Sequence, residues 1–221
     1  KEPMKWWRQM WDVSYSVSSI LLAVLLGIVL GNVLQGIAIG PNYSFQGHWL
    51  QFLNPYAIMV GLSTLALCMM HGAIYLTMKT EGRLFAKITI LLRNSIVFFI
   101  TSFGLVSLYT LIYLPDLVER LKSHPAFFIF PALAFLSIAN IPRLVAKRRF
   151  RIAFLFSSLT VSLLLALVAL GLYPTLLVST VNSAYDITIY NGASSNKSLG
   201  IMLLFAAIGA PLVLSYTAFV F

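Results

Sequence analysis

The stretch from Val13 to Leu34 reads VSYSVSSILLAVLLGIVLGNVL, and it decides the fold class. It contains no charged side chain and is long enough to cross the hydrocarbon layer of a membrane as one helix. Further apolar windows of this kind lie at about Ala57 to Met78, Asn94 to Leu114, Phe127 to Leu144, Ile152 to Tyr173 and Leu199 to Phe221. We therefore predict an all-α, polytopic integral membrane protein with about six transmembrane helices packed as a bundle.

The composition supports this prediction. Of the 221 residues, 60% are hydrophobic and only 10% are charged, and the mean hydropathy is +0.91. A water-soluble fold of this composition would lack the polar side chains needed to cover its surface. A large apolar core does not explain repeated runs of membrane-spanning length. We predict one membrane domain over residues 1–221, with Pro131 and Pro211 kinking spans rather than ending them.

The positive charges alternate between the connecting segments. Twelve Lys and Arg residues flank the first span on its N-terminal side or lie in the second-to-third and fourth-to-fifth connections, and they are Lys1, Lys5, Arg8, Lys79, Arg83, Lys87, Arg93, Arg143, Lys147, Arg148, Arg149 and Arg151. The other three are Arg120, Lys122 and Lys197. Because Lys and Arg are retained on the cytoplasmic side, we expect the N-terminus and the end of the sixth span to be cytoplasmic. The loop from Pro174 to Ser198 is then outside.

The tryptophans and the net charge of +9 indicate which partners to expect. Trp6, Trp7 and Trp11 precede the first span and Trp49 precedes the second, as expected of interfacial anchors. Basic clusters beside spans attract anionic lipid head groups, at about 1 kcal/mol for each Lys or Arg. Nucleic-acid binding is not supported, since no soluble domain is present to enter a groove. We expect membrane lipids as partners and no nucleic acid.

Few side chains in this sequence are of the kinds used for catalysis, proton transfer or metal binding. Asp12 directly abuts the first span, and Arg8 lies four residues before it on the same helical face. The two residues could form a buried structural or protonic network, or a solvated pair of the kind common on helices. The scarcity of carboxylates within the spans argues against a proton-coupled transporter. No phosphate-binding, dinucleotide-binding or metal-binding motif occurs, so we predict no catalytic residue and no metal site.

A haem requires axial ligands that face each other, usually His with His or Met. His71 is the one histidine inside a span, whereas His48 and His124 fall in predicted outer loops. We therefore expect that no cofactor is bound by this chain alone, with Met59 or Met202 left open as a second haem ligand. The simpler interpretation of His71 is a packed, hydrogen-bonded residue near the inner end of its helix.

Two further features are structural in kind. Gly27 and Gly31 have the small-xxx-small spacing that allows close helix approach, although the same spacing also arises by chance. The loop from Pro174 to Ser198 is interpreted as an ordered cap or a partner contact. We expect the loss of the Asp186 side chain in it to be tolerated.

Several motifs in a fixed order carry a family resemblance. They are WRQMWD (7–12), GNVLQG (31–36), FLNPY (52–56), HGAIYL (71–76) followed by KTEG (79–82), FLFSSLT (154–160), TIYNGASS (188–195) and PLVLSYTA (211–218). Taken together they resemble subunit II of the cytochrome bd quinol oxidases, including the cyanide-insensitive type. Each motif is weak by itself, but their shared order along the chain is specific.

The resemblance implies a nine-span subunit of which this chain holds the last six. The family's N-terminal Gly-Phe-Asp-Leu-Gly type motif does not occur here, and we expect the chain to be part of a longer polypeptide, cut at both ends. Polar residues in the matching motifs are Asn32, Gln35, Tyr190 and Asn191. The resemblance also favours the buried role for Asp12.

In this family two b-type haems and haem d are bound by subunit I. The resemblance therefore implies a non-haem subunit II that stabilises subunit I within a bacterial cytoplasmic-membrane complex, which oxidises quinol and reduces O2 to water. Small accessory subunits and a structural quinone are further expected partners. The alternatives are a fragment of a secondary transporter and a membrane anchor of another respiratory complex.

Overall fold

Six long helices dominate the computed structural model, which describes residues 4–115, 119 and 125–220. They are α1 (Lys5–Gln35), α2 (Pro55–Lys79), α3 (Gly82–Tyr113), α4 (Ile129–Ala146), α5 (Phe150–Leu172) and α6 (Asn196–Val220). Each helix is long and apolar enough to cross a membrane. The predicted all-α, polytopic membrane fold is confirmed. Within the predicted charge pattern, Lys1, Arg120 and Lys122 lie outside the described residues, as does His124.

The helices extend beyond the apolar windows at their charged ends. α1 begins at Lys5 rather than Val13, and α3 begins at Gly82 rather than Asn94. The extra turns carry Lys and Arg, which form helices well and can keep their charged ends in water while their stems cover apolar surface. A hydropathy window detects only the part of a helix that lies in the hydrocarbon layer, whereas the helix itself continues to its capping residue. The Trp-rich stretch before the first window is therefore part of α1.

The two expected kink positions differ. Pro131 lies in the first turn of α4, where the missing N–H would have had no acceptor within the helix. Pro211 lies in the interior of α6, where proline removes an intrahelical hydrogen bond. A structural cause for a kink therefore exists at Pro211 and not at Pro131.

α2 is the centre of the bundle, because α1, α3 and α5 all pack against it. α4 packs mainly on α5. The largest buried side chains of the core come from α2, α3 and α4, and they include Met70, Ile74, Leu92, Phe99 and Ile141. α6 contributes none of its side chains to this core and is exposed along its length. A helix that is apolar on every side must be covered by lipid or by another subunit.

α1 and α2 approach each other closely at glycines. A Cβ added at Gly27 would lie 2.6 Å from Gly61 Cα, and one added at Gly31 would lie 2.6 Å from Ala57 Cα. The close approach predicted from Gly27 and Gly31 is therefore present, and their spacing is not accidental. Gly27 meets Gly61, and Gly31, further along α1, meets Ala57, which comes earlier in α2. The two helices are therefore antiparallel.

The connections gather at two ends of the bundle. At the first, which we call the basic end, the Phe85 and Phe150 rings meet edge to face at 5.8 Å, so the α2–α3 and α4–α5 connections lie together. The antiparallel pairing brings the start of α1 to this end as well. At the other, which we call the loop end, segment 36–54 meets segment 173–195 through the paired residues Ile37 and Ser179. The basic clusters therefore share one end, as the charge alternation predicted, and the side of the membrane that each end faces stays a prediction.

Candidate functional site at the loop end

Two asparagines join the end of α1 to the start of α2. Asn32 is only 5% exposed, and its Nδ2 donates to Ile28 O and to Phe52 O, both at 2.8 Å. Its Oδ1 accepts from Asn54 Nδ2 at 3.0 Å. Asn54 is also the N-cap of α2, because its Oδ1 accepts from Ala57 N at 2.7 Å. Nearly every donor and acceptor of the Asn32 amide is thus satisfied, and these bonds tie the end of α1 to the start of α2.

A cavity of about 300 Å³ lies beside this amide pair. Gln35 lines it, and Gln35 Oε1 is a buried oxygen with no hydrogen-bond partner among the described residues. The stacked rings of Phe45 and Phe52, 5.1 Å apart, form part of the wall. A buried acceptor without a partner is costly unless a donor reaches it. The cavity is therefore suited to a ligand with an O–H or N–H donor and an apolar, planar body.

Segment 173–195 is held against the backbone that follows α1. Ser179 Oγ donates to Ile39 O at 2.7 Å, and Ser179 N donates to Asp186 Oδ1 at 2.7 Å. A short antiparallel pair, β1 (Thr175–Leu177) with β2 (Ile187–Thr188), completes the fold of this segment. The segment is therefore an ordered cap, and Asp186 has a structural role in it that the sequence did not reveal.

Tyr190 and Asn191 lie at the same end without lining the cavity. Asn191 Oδ1 accepts from Thr188 N at 2.7 Å, and its Nδ2 donates to Asp186 O at 2.8 Å, so this amide shapes the turn. Tyr190 is exposed, and a hydrogen bond to Tyr173 together with the Tyr173 charge raises the pKa of Tyr190. Of the four predicted motif residues, the structure brings only Asn32 and Gln35 into one site.

His71 is occupied by a side-chain contact inside the bundle. Its Nδ1 lies 2.8 Å from Ser157 Oγ, and its ring stacks on Phe154 at 4.8 Å. This is the hydrogen-bonded arrangement that the simpler interpretation predicted. Ser157, which comes from the FLFSSLT motif, is fully buried. A serine in an apolar helix gives no signal of its partner, so the sequence could not predict this pair.

The candidate haem ligands of the described residues do not lie as a facing pair. His48 lies at the loop end, where its Nδ1 accepts from Leu50 N at 3.3 Å, whereas His71 lies about 24 Å further along the axis of α2 than Pro55. Met59 is on the same helix as His71, so the two side chains cannot face each other across the plane of a haem. Met202 is on α6, away from the core. Within the described ranges, no group of three His, Cys, Asp or Glu side chains could hold a metal ion.

Asp12 and Arg8 lie at the basic end, far from the cavity. Both side chains are exposed on α1, and Ser16 Oγ bonds to the backbone oxygen of Asp12 rather than to its carboxylate. In the part of the chain that the structure describes, the two charged groups do not meet within 4.0 Å. The role of Asp12 stays a prediction, and a buried network around it would need groups from outside the described residues.

Comparison with known proteins identifies the family. The family model described as cytochrome bd terminal oxidase subunit II matches residues 1–221. The chain belongs to this family. It is 24% identical to the probable cytochrome oxidase subunit 2 of Haemophilus influenzae, 22% to the cytochrome bd-I ubiquinol oxidase subunit 2 of Escherichia coli K12 and 24% to the cytochrome bd ubiquinol oxidase subunit 2 of Bacillus subtilis.

These alignments cover nearly all of the chain but only part of each relative. The first two cover 96% of this chain and 64% of the relative, and the third covers 94% and 61%. The chain thus spans a little under two thirds of the length of the curated relatives that it matches. The family resemblance inferred from the ordered motifs is confirmed, and the family together with the six apolar helices makes this a multi-pass membrane protein.

Proposed function

We propose that this chain acts as the non-haem subunit II of a cytochrome bd-type quinol oxidase in the cytoplasmic (inner) membrane of a bacterium. The complex would oxidise quinol and reduce O2 to water. The observation that carries the proposal is the family match along residues 1–221, and the names of the Escherichia coli and Bacillus subtilis relatives specify a ubiquinol oxidase. The alternative of a secondary transporter fragment is not favoured by either comparison.

In this proposal the haems belong to the partner, subunit I, which would hold two b-type haems and haem d. The chain itself would contribute a rigid bundle and a large apolar surface. α6 is exposed along its whole length, and only Gly27, Gly31 and Asn32 are buried on α1. These surfaces support contact with lipid, with subunit I and with small accessory subunits.

A structural quinone is a further part of the proposal, and the loop-end cavity fits its reduced form. A quinol hydroxyl could donate to the unpartnered Gln35 Oε1, while its ring could lie against Phe45 or Phe52. A bound quinol of this kind would rigidify the junction of α1 and α2. Quinone content of the purified complex tests this site, with Gln35→Leu as the variant and Gln46→Leu, which does not line the cavity, as the control. Equal quinone content in the Gln35→Leu variant and the wild type would show that this cavity does not bind the quinone.

The orientation is also proposed, with the basic end and therefore the start of α1 on the cytoplasmic side. It is supported by the gathering of the basic clusters at that end. A cysteine placed at the half-buried Tyr185, in the segment between α5 and α6, should react with a membrane-impermeant reagent added outside. Reaction only from the cytoplasmic face would reverse the orientation.

Co-purification tests the functional proposal. An affinity tag on this chain should recover a larger membrane subunit, and the recovered complex should show the reduced bands of haem b and haem d in its optical spectrum. Recovery of the chain without a haem-bearing partner would favour the transporter alternative.

A further inference from the structure

A concave site at the basic end combines positive charge with apolar walls. The cavity, of about 460 Å³, lies between the last turn of α2 and the start of α5. Arg148, Arg149 and Arg151 supply its charge, and Met78 and Phe150 supply apolar surface. No acidic side chain is among the residues that line it. The three arginines thus line a cavity whose described lining includes no compensating carboxylate.

The backbone at this cavity also attracts anions. The first hydrogen bond at the start of α5 runs from Ala153 N to Arg149 O at 3.0 Å. The three N–H groups before it, at residues 150–152, therefore have no acceptor within the helix. The first turn contains no acidic residue, and Arg149 makes no side-chain cap. Free N–H groups and the positive end of the helix dipole together favour a bound phosphate or carboxylate.

Arg148 occupies a backbone conformation that does not suit it. Its φ is +55°, in the left-handed region where glycine or asparagine is favoured. Its N–H donates to Val145 O at 3.0 Å, which closes the turn between α4 and α5. A glycine would form this turn with less strain, so the backbone of the turn does not itself require an arginine.

We propose that this cavity binds the head group of an anionic phospholipid, with the phosphate held by the three arginines and the N-terminus of α5. The apolar walls favour a lipid over inorganic phosphate, because Met78, Phe150 and Ile152 can cover the glycerol and the first carbons of the acyl chains. The site lies where two apolar spans meet their charged ends, which is where lipid head groups are expected. It is distinct from the loop-end cavity, which is lined by amides.

The test measures phosphatidylglycerol and phosphatidylcholine binding to the detergent-purified complex by native mass spectrometry. In the triple variant Arg148→Gln, Arg149→Gln, Arg151→Gln, phosphatidylglycerol affinity should fall about tenfold or more, while phosphatidylcholine binding should not change. Unchanged phosphatidylglycerol affinity in this variant would overturn the proposal. Full displacement of phosphatidylglycerol by millimolar inorganic phosphate would also overturn it, since the site would then recognise the free anion.

A matched control removes the same charge from the same end without touching the cavity. Arg83, Lys87 and Arg93 are exposed on α3 and do not line the cavity. Their triple change to Gln should lower phosphatidylglycerol affinity by less than about threefold. An equal loss in both triple variants would mean that diffuse surface charge, and not the cavity, attracts the lipid.

The single change Arg148→Gly keeps the test valid if the triple variant does not fold. It relieves the left-handed strain, so the thermal stability of the complex in phosphatidylcholine should be unchanged or higher, while its phosphatidylglycerol affinity falls. Arg148→Lys keeps the charge and should retain most of the affinity. A parallel fall of stability and affinity in Arg148→Gly would indicate a structural arginine instead of a lipid ligand.

Discussion

Substitution of Gly27 by alanine should loosen the contact between α1 and α2. The new Cβ would lie 2.6 Å from both Gly61 Cα and Thr64 Oγ1, whereas carbon atoms pack best at about 3.5 to 4.0 Å. The helices would therefore have to separate by about 1 Å at this point. Overpacking of this kind costs about 1 to 3 kcal/mol, and the gain in helix propensity from Gly to Ala returns at most about 1 kcal/mol. The central cost of about 2 kcal/mol less a gain of about 1 kcal/mol leaves an expected net loss of about 1 kcal/mol.

The assay is reversible unfolding of the purified chain in mixed micelles with increasing sodium dodecyl sulfate, followed by tryptophan fluorescence. Gly72→Ala and Gly104→Ala are matched controls, because an added Cβ meets nothing within 4 Å at either position. Both controls should unfold at the wild-type midpoint or slightly above it. If Gly27→Ala were as stable as the controls, the close approach of α1 and α2 would not contribute to stability.

Three further predictions concern polar side chains. Asn32→Leu should destabilise the chain by about 1 to 3 kcal/mol in the same unfolding assay, because it leaves buried partners unsatisfied, whereas the exposed Asn94→Leu should not. Asp186→Ala should speed hydrogen exchange at Ser179, whose N–H loses its 2.7 Å acceptor; unchanged exchange would contradict this role. Asp12→Ala should lower haem retention in the complex, and Asp12→Asn separates the causes, since full haem with slow oxygen consumption indicates proton movement. Wild-type behaviour of both variants would remove Asp12 from the functional residues.

The spans and their grouping could be predicted because membrane burial leaves a strong signal. Apolar length located all six helices, and the alternation of Lys and Arg predicted which connections meet at the basic end. The spacing of Gly27 and Gly31 indicated a helix contact, although only the structure identified Gly61 and Ala57 as its partners. The starts of α1 and α3 were placed too late, since charged first turns such as Lys5 onwards are helical without being apolar.

The site could be predicted only in part, because polar contacts depend on residues that are distant in sequence. Asn32 and Gln35 were identified as motif residues, but neither the amide pair of Asn32 with Asn54 nor the unpartnered oxygen of Gln35 has a sequence signal. The Asn-Pro start of α2 was the one usable clue to Asn54, since asparagine is a favoured N-cap before a proline. Loss of the Asp186 side chain was expected to be tolerated. Its role as the acceptor for Ser179 N could not be predicted, because it depends on the fold of its own loop.

The interpretation of Asp12 illustrates a different limit. The residue is exposed on this chain, so the fold of this chain does not determine its surroundings in the proposed complex. Neither the sequence nor the fold of a single subunit can supply those groups. The same reasoning applies to α6, whose apolar surface has no partner among the described helices.

The central claim is that this chain is a subunit on which a haem-bearing quinol oxidase depends. The most direct measurement compares membranes that contain the full complex with membranes from which only this chain has been omitted, by reduced-minus-oxidised spectra and quinol-driven oxygen uptake. We predict that omission abolishes the haem d band and the oxygen uptake, and that restoring the chain recovers both. Undiminished haem d and undiminished quinol-driven oxygen uptake in the membranes that lack the chain would contradict the account.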